Sequence, residues 1–163
     1  MLQYSMMVIR RAEKNDIEEI LRLLRQVLEV HASIRPDLFI SGTTKYTDKE
    51  LEVIIKDEKK PIFVAVEDDK VLGYVFCEID DFPKRNSMIA YKSLYIDDLC
   101  VDESERKKNV GKQLFKYVKD YAKEIGCYEI TLNVWEGNDS ALEFYEKMGL
   151  KPKYHNMEYK LED

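Results

Sequence analysis

Residues 94–112 (LYIDDLCVDESERKKNVGK) constrain the fold more than any other part of the chain. They begin with apolar, aromatic and β-branched residues, interrupted by the adjacent carboxylates Asp97 and Asp98, and this composition predicts a β-strand. Four cations follow within residues 106–112, where helical periodicity begins. Residues 106–112 are called the cationic turn. A basic turn between a strand and a helix N-terminus presents unpaired backbone N–H groups and positive charge, so it suits a polyphosphate. The alternative interpretation is a solvated helix cap.

Two well-known phosphate motifs do not match this turn. A P-loop requires a glycine five residues before Gly111 and a Ser or Thr after Lys112, where the chain has Arg106 and Gln113. A dinucleotide fingerprint requires three closely spaced glycines, and residues 94–112 contain Gly111 alone. The turn therefore predicts an anion site of another kind.

The length and the charge of the chain exclude several classes of protein. With 163 residues, the chain is expected to form a single domain, residues 1–163, that buries ~70% of its unfolded surface. Its net charge of −6 argues against a general nucleic-acid binder and favours a cationic substrate. Three widely spaced cysteines fit neither a metal site nor a disulfide framework, so reduced core thiols are expected. No signal peptide or membrane-spanning run is apparent, which predicts a cytoplasmic protein.

Hydrophobic periodicity predicts alternating helices and strands without an internal repeat or a linker. The predicted strands are residues 7–12, 62–66, 71–79, 94–101, 129–135 and 153–161. The strands 62–66 and 71–79 are expected to pair as a hairpin around the turn at Glu67, Asp68, Asp69 and Lys70. Helices are expected after capping boxes at Asn15–Glu18 and Thr47–Glu50, after the cationic turn as far as Gly126, and over residues 140–148. Gly73, inside a strand, indicates a bulge or a close backbone approach. Residues 31–44 are either a packed connector or the wall of a substrate pocket.

Two motifs resemble those of the GNAT superfamily of N-acyltransferases. Residues 106–111 (RKKNVG) resemble its acyl-coenzyme A signature Q/R-x-x-G-x-G/A, with Asn109 in the place of the first glycine. Asn is the best substitute there because it tolerates positive φ. Residues 138–150 resemble the family element N-x-x-A-x-x-F-Y-x-x-x-G-F/L. Alone, Tyr145 at seven residues from Asn138 would be an ordinary core contact; after the cationic turn, this spacing identifies the family.

The resemblance implies a fold, a co-substrate and a set of binding residues. The fold would be the α/β GNAT acyltransferase fold, a central mixed, mostly antiparallel sheet flanked by helices. Acetyl-coenzyme A (acetyl-CoA) would be the co-substrate, and no metal is implied. Backbone groups near Cys100 would bond the pantetheine and the thioester carbonyl, and the cationic turn would hold the pyrophosphate. The implied cofactor-binding residues are Leu99, Cys100, Val101, Arg106, Lys107, Lys108, Asn109, Val110, Gly111, Lys112, Asn138 and Tyr145.

The implied chemistry is direct attack of a neutral amine on the thioester, without a covalent enzyme intermediate. Tyr145 would be the general acid for the departing thiolate. Residues 95–98 (YIDD) resemble the Y-L-E-D segment of diamine and polyamine acetyltransferases, which puts Asp97 at their catalytic glutamate and makes it the base, acting through a water. Asp98 would be structural or bind substrate, and Glu136 is a further candidate for binding a cationic acceptor. The alternative is that both aspartates satisfy local donors, and Cys100 is expected to be a buried, inert thiol.

Adjacent strand residues face opposite sides, so at most one of the two aspartates should enter a given cleft unless a bulge intervenes. The predicted function is an acetyl-CoA dependent N-acetyltransferase acting on a small cationic amine such as a polyamine. Two alternatives stay open: a protein or peptide amine acetyltransferase, and a non-catalytic acyl-CoA binding module. A small-molecule amine is the expected partner, with no nucleic acid and no membrane. Since dimers are common in the family, a homodimer is also open.

Overall fold

A five-stranded sheet forms the centre of the protein, with its strands in sequence order. The computed structural model describes residues 5–161 and, for residues 106–108, the backbone alone. The strands are Val8–Arg11 (β1), Ile62–Glu67 (β2), Lys70–Phe82 (β3), Tyr91–Val101 (β4) and Glu129–Leu132 (β5). The first four pair antiparallel with their neighbours, whereas β5 pairs parallel with β4. The predicted mixed, mostly antiparallel sheet is confirmed.

Helices cover both faces of this sheet. They are Ile17–Ile34 (α1), Asp48–Ile54 (α2), Val110–Glu124 (α3) and Asp139–Lys147 (α4). Successive residues of β2 alternate between the faces: Val64 packs in the cluster of α1 and α2, and Phe63 packs in the cluster of α3. The predicted box that begins α2 is confirmed, since Thr47 and Glu50 each accept the other's backbone N–H. Within residues 5–161, no helix has the length and apolar character to cross a membrane.

The predicted capping box before α1 is wrong. Instead of Asn15 and Glu18, the box joins Glu13 and Asp16 around a 3₁₀ turn, Lys14–Asp16. The carboxylate of Asp16 accepts the backbone N–H of Glu13 at 2.7 Å and also pairs with Arg10. Since these bonds involve β1 as well as the turn, the start of α1 is fixed by a contact outside the helix.

The hairpin between β2 and β3 follows the prediction. Asp68 and Asp69 both have positive φ, 49° and 61°, as a tight turn between two strands requires. At Gly73, a Cβ atom would lie 2.8 Å from the carbonyl oxygen of Cys100 on β4. The glycine therefore permits a close backbone approach between β3 and β4, as expected.

Two strand predictions after α3 are too long or wrong. The expected strand 129–135 ends at Leu132, because β5 pairs with residues 93–96 of β4 alone. The expected closing strand 153–161 is wrong: these residues are exposed, and no described strand pairs with them. Its residues alternate as those of a strand do, but no described strand forms backbone hydrogen bonds with them.

Candidate active site

The second half of β4 has one unoccupied edge. Residues 98–101 pair with β3 on one side, whereas β5 pairs only with residues 93–96, so no described strand pairs with the other side of residues 97–101. Leu99, Cys100 and Val101, which the family resemblance singles out, lie in this half. A free strand edge offers backbone N–H and C=O groups to an extended ligand, which can bond as an additional strand. This edge is therefore open to an extended ligand within the described chain.

A β-bulge lies in this half of the strand, at the two aspartates. Phe76 of β3 pairs with Asp98, but the next residue, Cys77, pairs with Ile96. Asp97 is therefore the extra residue between two registered pairs. A bulge changes the direction of the side chains around it, so the two carboxylates need not face opposite sides.

Asp97 holds the ammonium group of a lysine. Lys45 Nζ lies 2.8 Å from its Oδ1, and the hydroxyl of Tyr46 donates to its Oδ2 at 2.6 Å. The Tyr46 ring in turn stacks on Phe76, with 5.5 Å between ring centroids. The carboxylate is thus positioned by an aromatic residue and occupied by a primary ammonium.

Asp98 accepts a hydrogen bond from the buried Tyr74 hydroxyl at 2.7 Å. Burial raises the pKa of Asp98 to about 6, although the Tyr74 hydrogen bond and the charge of Lys45 act in the opposite direction. The Tyr74 ring also contacts Phe76, at 4.9 Å, so both aspartates bond to tyrosines of one aromatic cluster. The bulge therefore brings both carboxylates to the same part of the site.

Tyr145 faces these carboxylates from α4. Burial raises its pKa above the usual value, and the charge of Asp98 is the next contribution, followed by that of Cys100. Its hydroxyl makes no hydrogen bond with another residue of the described chain. The phenol therefore stays protonated at physiological pH and remains able to donate to a ligand.

The cationic turn has the backbone shape that the sequence suggests. It begins within a 3₁₀ turn, Glu103–Lys108. The next residue, Asn109, has a left-handed backbone conformation, with a φ of 58° and a ψ of 23°. Asn is among the residues that adopt this conformation with least strain, as expected for a substitute of glycine. Lys112 is exposed in the first turn of α3. The side chains of Arg106, Lys107 and Lys108 lie outside the described residues.

The first turn of α3 packs closely against its neighbours. A Cβ atom on Gly111 would lie 3.2 Å from Phe144 of α4 and 3.4 Å from Val101 of β4. Val110, next to it, is buried in the core. Glycine at 111 therefore lets α4 approach the start of α3, and Val110 has only its backbone to offer to a cofactor.

Asp102 anchors the turn to the rest of the molecule. Its carboxylate pairs with Arg22 of α1 at 2.7 Å and accepts the backbone N–H of Ser104 at 3.1 Å. Burial alone would raise the pKa of Asp102, but the bonds from Arg22 and Ser104 outweigh it and lower the pKa to about 2. This buried, ionised group holds the strand end and the cationic turn in one arrangement.

Two further predicted residues occupy different positions. Asn138 begins α4, and its side-chain oxygen accepts the backbone N–H of Ala141 at 3.4 Å. Glu136 is exposed and makes no hydrogen bond or ion pair with another described residue. The structure therefore does not bring Glu136 together with the two aspartates.

Residues 31–44 lie against the chain that follows β5. Phe39 contacts Trp135 edge-on at 5.7 Å and His31 at 5.2 Å. Burial lowers the pKa of His31, and the charge of Lys45 lowers it further. This segment is thus packed, and it also borders the region where Lys45 meets Asp97.

Lys45, Tyr46 and Tyr74 are site residues that sequence reasoning missed. Lys45 and Tyr46 lie in an irregular segment before α2, and their partner is more than 50 residues away. Tyr74 has the same pattern as other core residues of β3. No local motif distinguishes these residues: Tyr74 depends on the register of β3 and β4, and Lys45 and Tyr46 depend on how the segment before α2 packs against β4.

Comparisons with known proteins identify relatives along most of the chain. Residues 24–150 match the acetyltransferase (GNAT) family. A solved mutant of the BH1408 protein from Bacillus halodurans is 32% identical, with a TM-score of 0.90, and the match covers 94% of this chain and 99% of that one. The L-ornithine N5-acetyltransferase NATA1 of Arabidopsis thaliana is 28% identical over 129 residues, 76% of this chain and 55% of the relative.

The thialysine N-epsilon-acetyltransferase of Bos taurus is 24% identical over 157 residues, which are 89% of this chain and 84% of the relative. The matches span about half the length of the first curated relatives, 47% and 55%.

Proposed function

The chain belongs to the GNAT acetyltransferase family, and we propose that it transfers the acetyl group of acetyl-CoA directly to a primary amine of a small cationic molecule. The observation that carries this proposal is the contact of 2.8 Å between the Lys45 ammonium and the Asp97 carboxylate. An acceptor amine that replaces Lys45 would meet the same carboxylate. The ornithine and thialysine acetyltransferases among the relatives are named for substrates that carry primary amines, which supports this acceptor class.

We assign Asp97 two roles toward the acceptor amine: it binds the ammonium ion and then accepts its proton. An alkyl amine has a pKa of ~10 and arrives as an ammonium ion, which the carboxylate binds and orients. Asp97 then accepts the proton through a water, because its arm is one methylene shorter than that of glutamate. The Tyr46 hydroxyl holds the other carboxylate oxygen and so fixes its direction. The amine nitrogen becomes free to form the C–N bond as the C–S bond breaks.

Tyr145 is assigned to the leaving thiolate. A protonated phenol whose hydroxyl has no acceptor in the described chain can donate to sulfur as negative charge develops there. Because burial and the Asp98 charge raise its pKa, Tyr145 keeps its proton more firmly than free tyrosine does. It therefore acts chiefly by hydrogen bonding in the transition state, and the thiolate then completes its protonation from this donor or from solvent.

The remaining binding residues are assigned by their backbone geometry. When bound, acetyl-CoA supplies the thioester that the amine attacks. The free edge of β4 at residues 97–101 would bond its pantetheine arm. The left-handed Asn109 and the N-terminus of α3 would face its pyrophosphate, with Lys112 and the cations of the turn beside them. Asn138, at the start of α4, would contact the pantetheine arm.

Thiol release from acetyl-CoA with a panel of polyamines, diamines, amino acids, aminoglycosides and peptides tests the proposal. We expect release with small cationic amines, and a loss of ~10²- to 10⁴-fold in kcat for Tyr145→Phe. Tyr128→Phe, at an exposed tyrosine, is the matched control and should keep full activity. Thiol release with peptides alone would mean that the acceptor is a peptide or protein amine. Binding of acetyl-CoA without thiol release for any amine would favour a non-catalytic binding module.

Two further variants test the carboxylate itself. Asp97→Asn should lose activity at pH 7 and regain part of it at high pH, where the amine is already neutral; a defect that stays constant with pH contradicts the base. Lys45→Met should lower the amine KM several-fold, since the competing ammonium is gone. Lys49→Met, on the exposed side of α2, is its control. A higher KM for Lys45→Met would mean that Lys45 helps to bind the acceptor instead of competing with it for Asp97.

A further inference from the structure

The Lys45 side chain occupies the place that the proposed reaction needs for the acceptor amine. Its Nζ atom lies 2.8 Å from Oδ1 of Asp97 and 3.4 Å from the backbone oxygen of the same residue. Asp97 belongs to the half of β4 in which one edge has no described partner. A primary amine of the protein itself is therefore already held at the carboxylate that an external amine would have to reach.

Both oxygens of the Asp97 carboxylate have protein partners. Lys45 takes one oxygen, and the hydroxyl of Tyr46 donates to the other at 2.6 Å. The Asp97 side chain is 14% exposed, whereas that of Lys45 is 42% exposed. An external ammonium therefore meets this carboxylate only after Lys45 has moved away or has lost its charge. Lys45 needs no encounter step, because the chain itself holds it there.

The groups proposed for the transfer surround the same point. After burial and the Tyr74 hydrogen bond, the charge of Lys45 is the next influence on the pKa of Asp98. After burial, the charge of Asp98 is the next influence on the pKa of Tyr145. Residues 41–47, which carry Lys45, form neither helix nor strand. Nucleophile, base and acid thus come from three separate parts of the chain that meet at the two aspartates.

We propose that Lys45 is itself an acetyl acceptor, modified within its own chain, and that its acetylation opens Asp97 to external amines. This inference rests on the proposed function, since it uses the same thioester, base and acid. Lys45 Nζ would form a C–N bond with the acetyl carbon as the C–S bond breaks. The nitrogen loses two protons: one reaches solvent through Asp97, and the other balances the proton that the departing sulfur gains. The products are an amide at Lys45 and free coenzyme A.

The acetylated side chain would no longer compete for Asp97. An amide carries no charge, so the ion pair that Lys45 now makes would be lost. The exposed side chain can then turn into solvent, whereas the Tyr46 bond does not depend on the lysine charge and keeps the carboxylate oriented. Earlier exposure to acetyl-CoA would therefore activate the protein toward small amines.

Mass spectrometry of the intact protein and of its peptides tests the modification. With acetyl-CoA near neutral pH and no amine, we expect one thiol released per chain and one acetyl group, at Lys45. Its first-order rate constant should not change over a ~10-fold range of protein concentration, because the nucleophile and the site share one chain. Tyr145→Phe should slow the modification ~10²-fold or more. Lys45→Arg should abolish it, and Lys49→Met, at an exposed lysine of α2, should leave it unchanged.

Amine kinetics test the consequence for Asp97. After incubation with acetyl-CoA and removal of the excess, initial rates of the wild type should give an amine KM several-fold lower than before, close to that of Lys45→Met. Lys45→Arg keeps a cation that the reaction cannot neutralise, so its KM should not respond to the incubation. An unchanged KM after complete acetylation of the wild type would contradict the opening of Asp97.

The same preparation is assayed with the amine panel, so that the two proposals can fail separately. Amine turnover that depends on Tyr145, without an acetyl group at Lys45, would overturn this inference and leave the proposed function intact. Acetyl groups spread over exposed lysines at rates that Tyr145→Phe does not change would also overturn it, as would a rate proportional to protein concentration. If acetyl-CoA binds but neither an amine nor Lys45 is acetylated, both proposals fail. An acetyl group already present on Lys45 after purification, and absent from Tyr145→Phe, would support the inference.

Discussion

The bulge in β4 decides what each of two neighbouring carboxylates can do. Asp97 is the unpaired residue, and its carboxylate meets the Lys45 ammonium, whereas Asp98 lies under the Tyr74 hydroxyl in a buried position. Two residues of the same type therefore have different surroundings. Asp97 binds a cation, whereas burial raises the pKa of Asp98 to about 6.

The difference in the free energy of unfolding between Asp98→Asn and the wild type should depend on pH. The folded pKa of Asp98 is raised to about 6, above the ~3.9 of an unfolded aspartate, so its stabilising contribution is complete below pH ~4 and declines as pH rises through 6. Asparagine cannot ionise. Urea unfolding between pH 4.5 and 8 should therefore show the variant gaining about 2 to 3 kcal/mol relative to wild type.

Asp120→Asn, at an exposed aspartate of α3, is the control and should follow the wild-type profile. A constant difference between Asp98→Asn and wild type across this range would show that the folded pKa of Asp98 is not raised.

The cationic turn shows how one element is held by another. Asp102, which precedes the turn, joins it to α1 through Arg22. Asparagine at position 102 would still accept the backbone N–H of Ser104, but it would not carry the charge that pairs with Arg22. The position of the turn, and of the α3 N-terminus behind it, thus depends on a contact between residues 80 apart in sequence.

Asp102→Asn should destabilise the protein by about 2 to 3 kcal/mol at pH 7. Since the folded pKa is lowered to about 2, the contribution is present above pH ~4 and lost as pH falls toward 2. Urea unfolding at pH 7 and at pH ~2.5 should show the deficit shrinking on acidification. Asp81→Asn, at an exposed ion pair with Lys59, is the comparison and should change little. An equal effect of both variants would contradict the anchoring function.

The net charge of −6 acts on the whole molecule rather than on one contact. An acidic protein attracts polycations over a distance set by ionic strength, and the carboxylates near Lys45 extend that attraction into the site.

With acetyl-CoA saturating, raising the salt concentration from ~10 mM to ~500 mM should lower kcat/KM for a polyamine several-fold. A monoamine of similar length is the control, and its kcat/KM should fall less because it carries fewer charges. Initial rates at low amine concentration measure this effect. Equal salt dependence for both amines would mean that the net field does not contribute to acceptor choice.

The sequence by itself determined the order of most elements and the family, and it predicted Tyr145 as the catalytic acid. These follow from short-range patterns: the Thr47–Glu50 box, the Asp68–Asp69 turn, the cationic turn with left-handed Asn109, and the spacing from Asn138 to Tyr145. Each pattern lies within a few residues, so local propensity and periodicity are enough to specify it.

Only the tertiary structure decided the register and the partners. The β4 bulge, the contact of Lys45 with Asp97 across 52 residues and the early end of β5 all depend on how distant strands align. The segment of residues 153–161 is the clearest case. Its alternation predicts a strand, but alternation cannot identify a partner, and no described strand pairs with it. Side-chain pattern encodes the capacity to pair, whereas the available edge determines where pairing occurs.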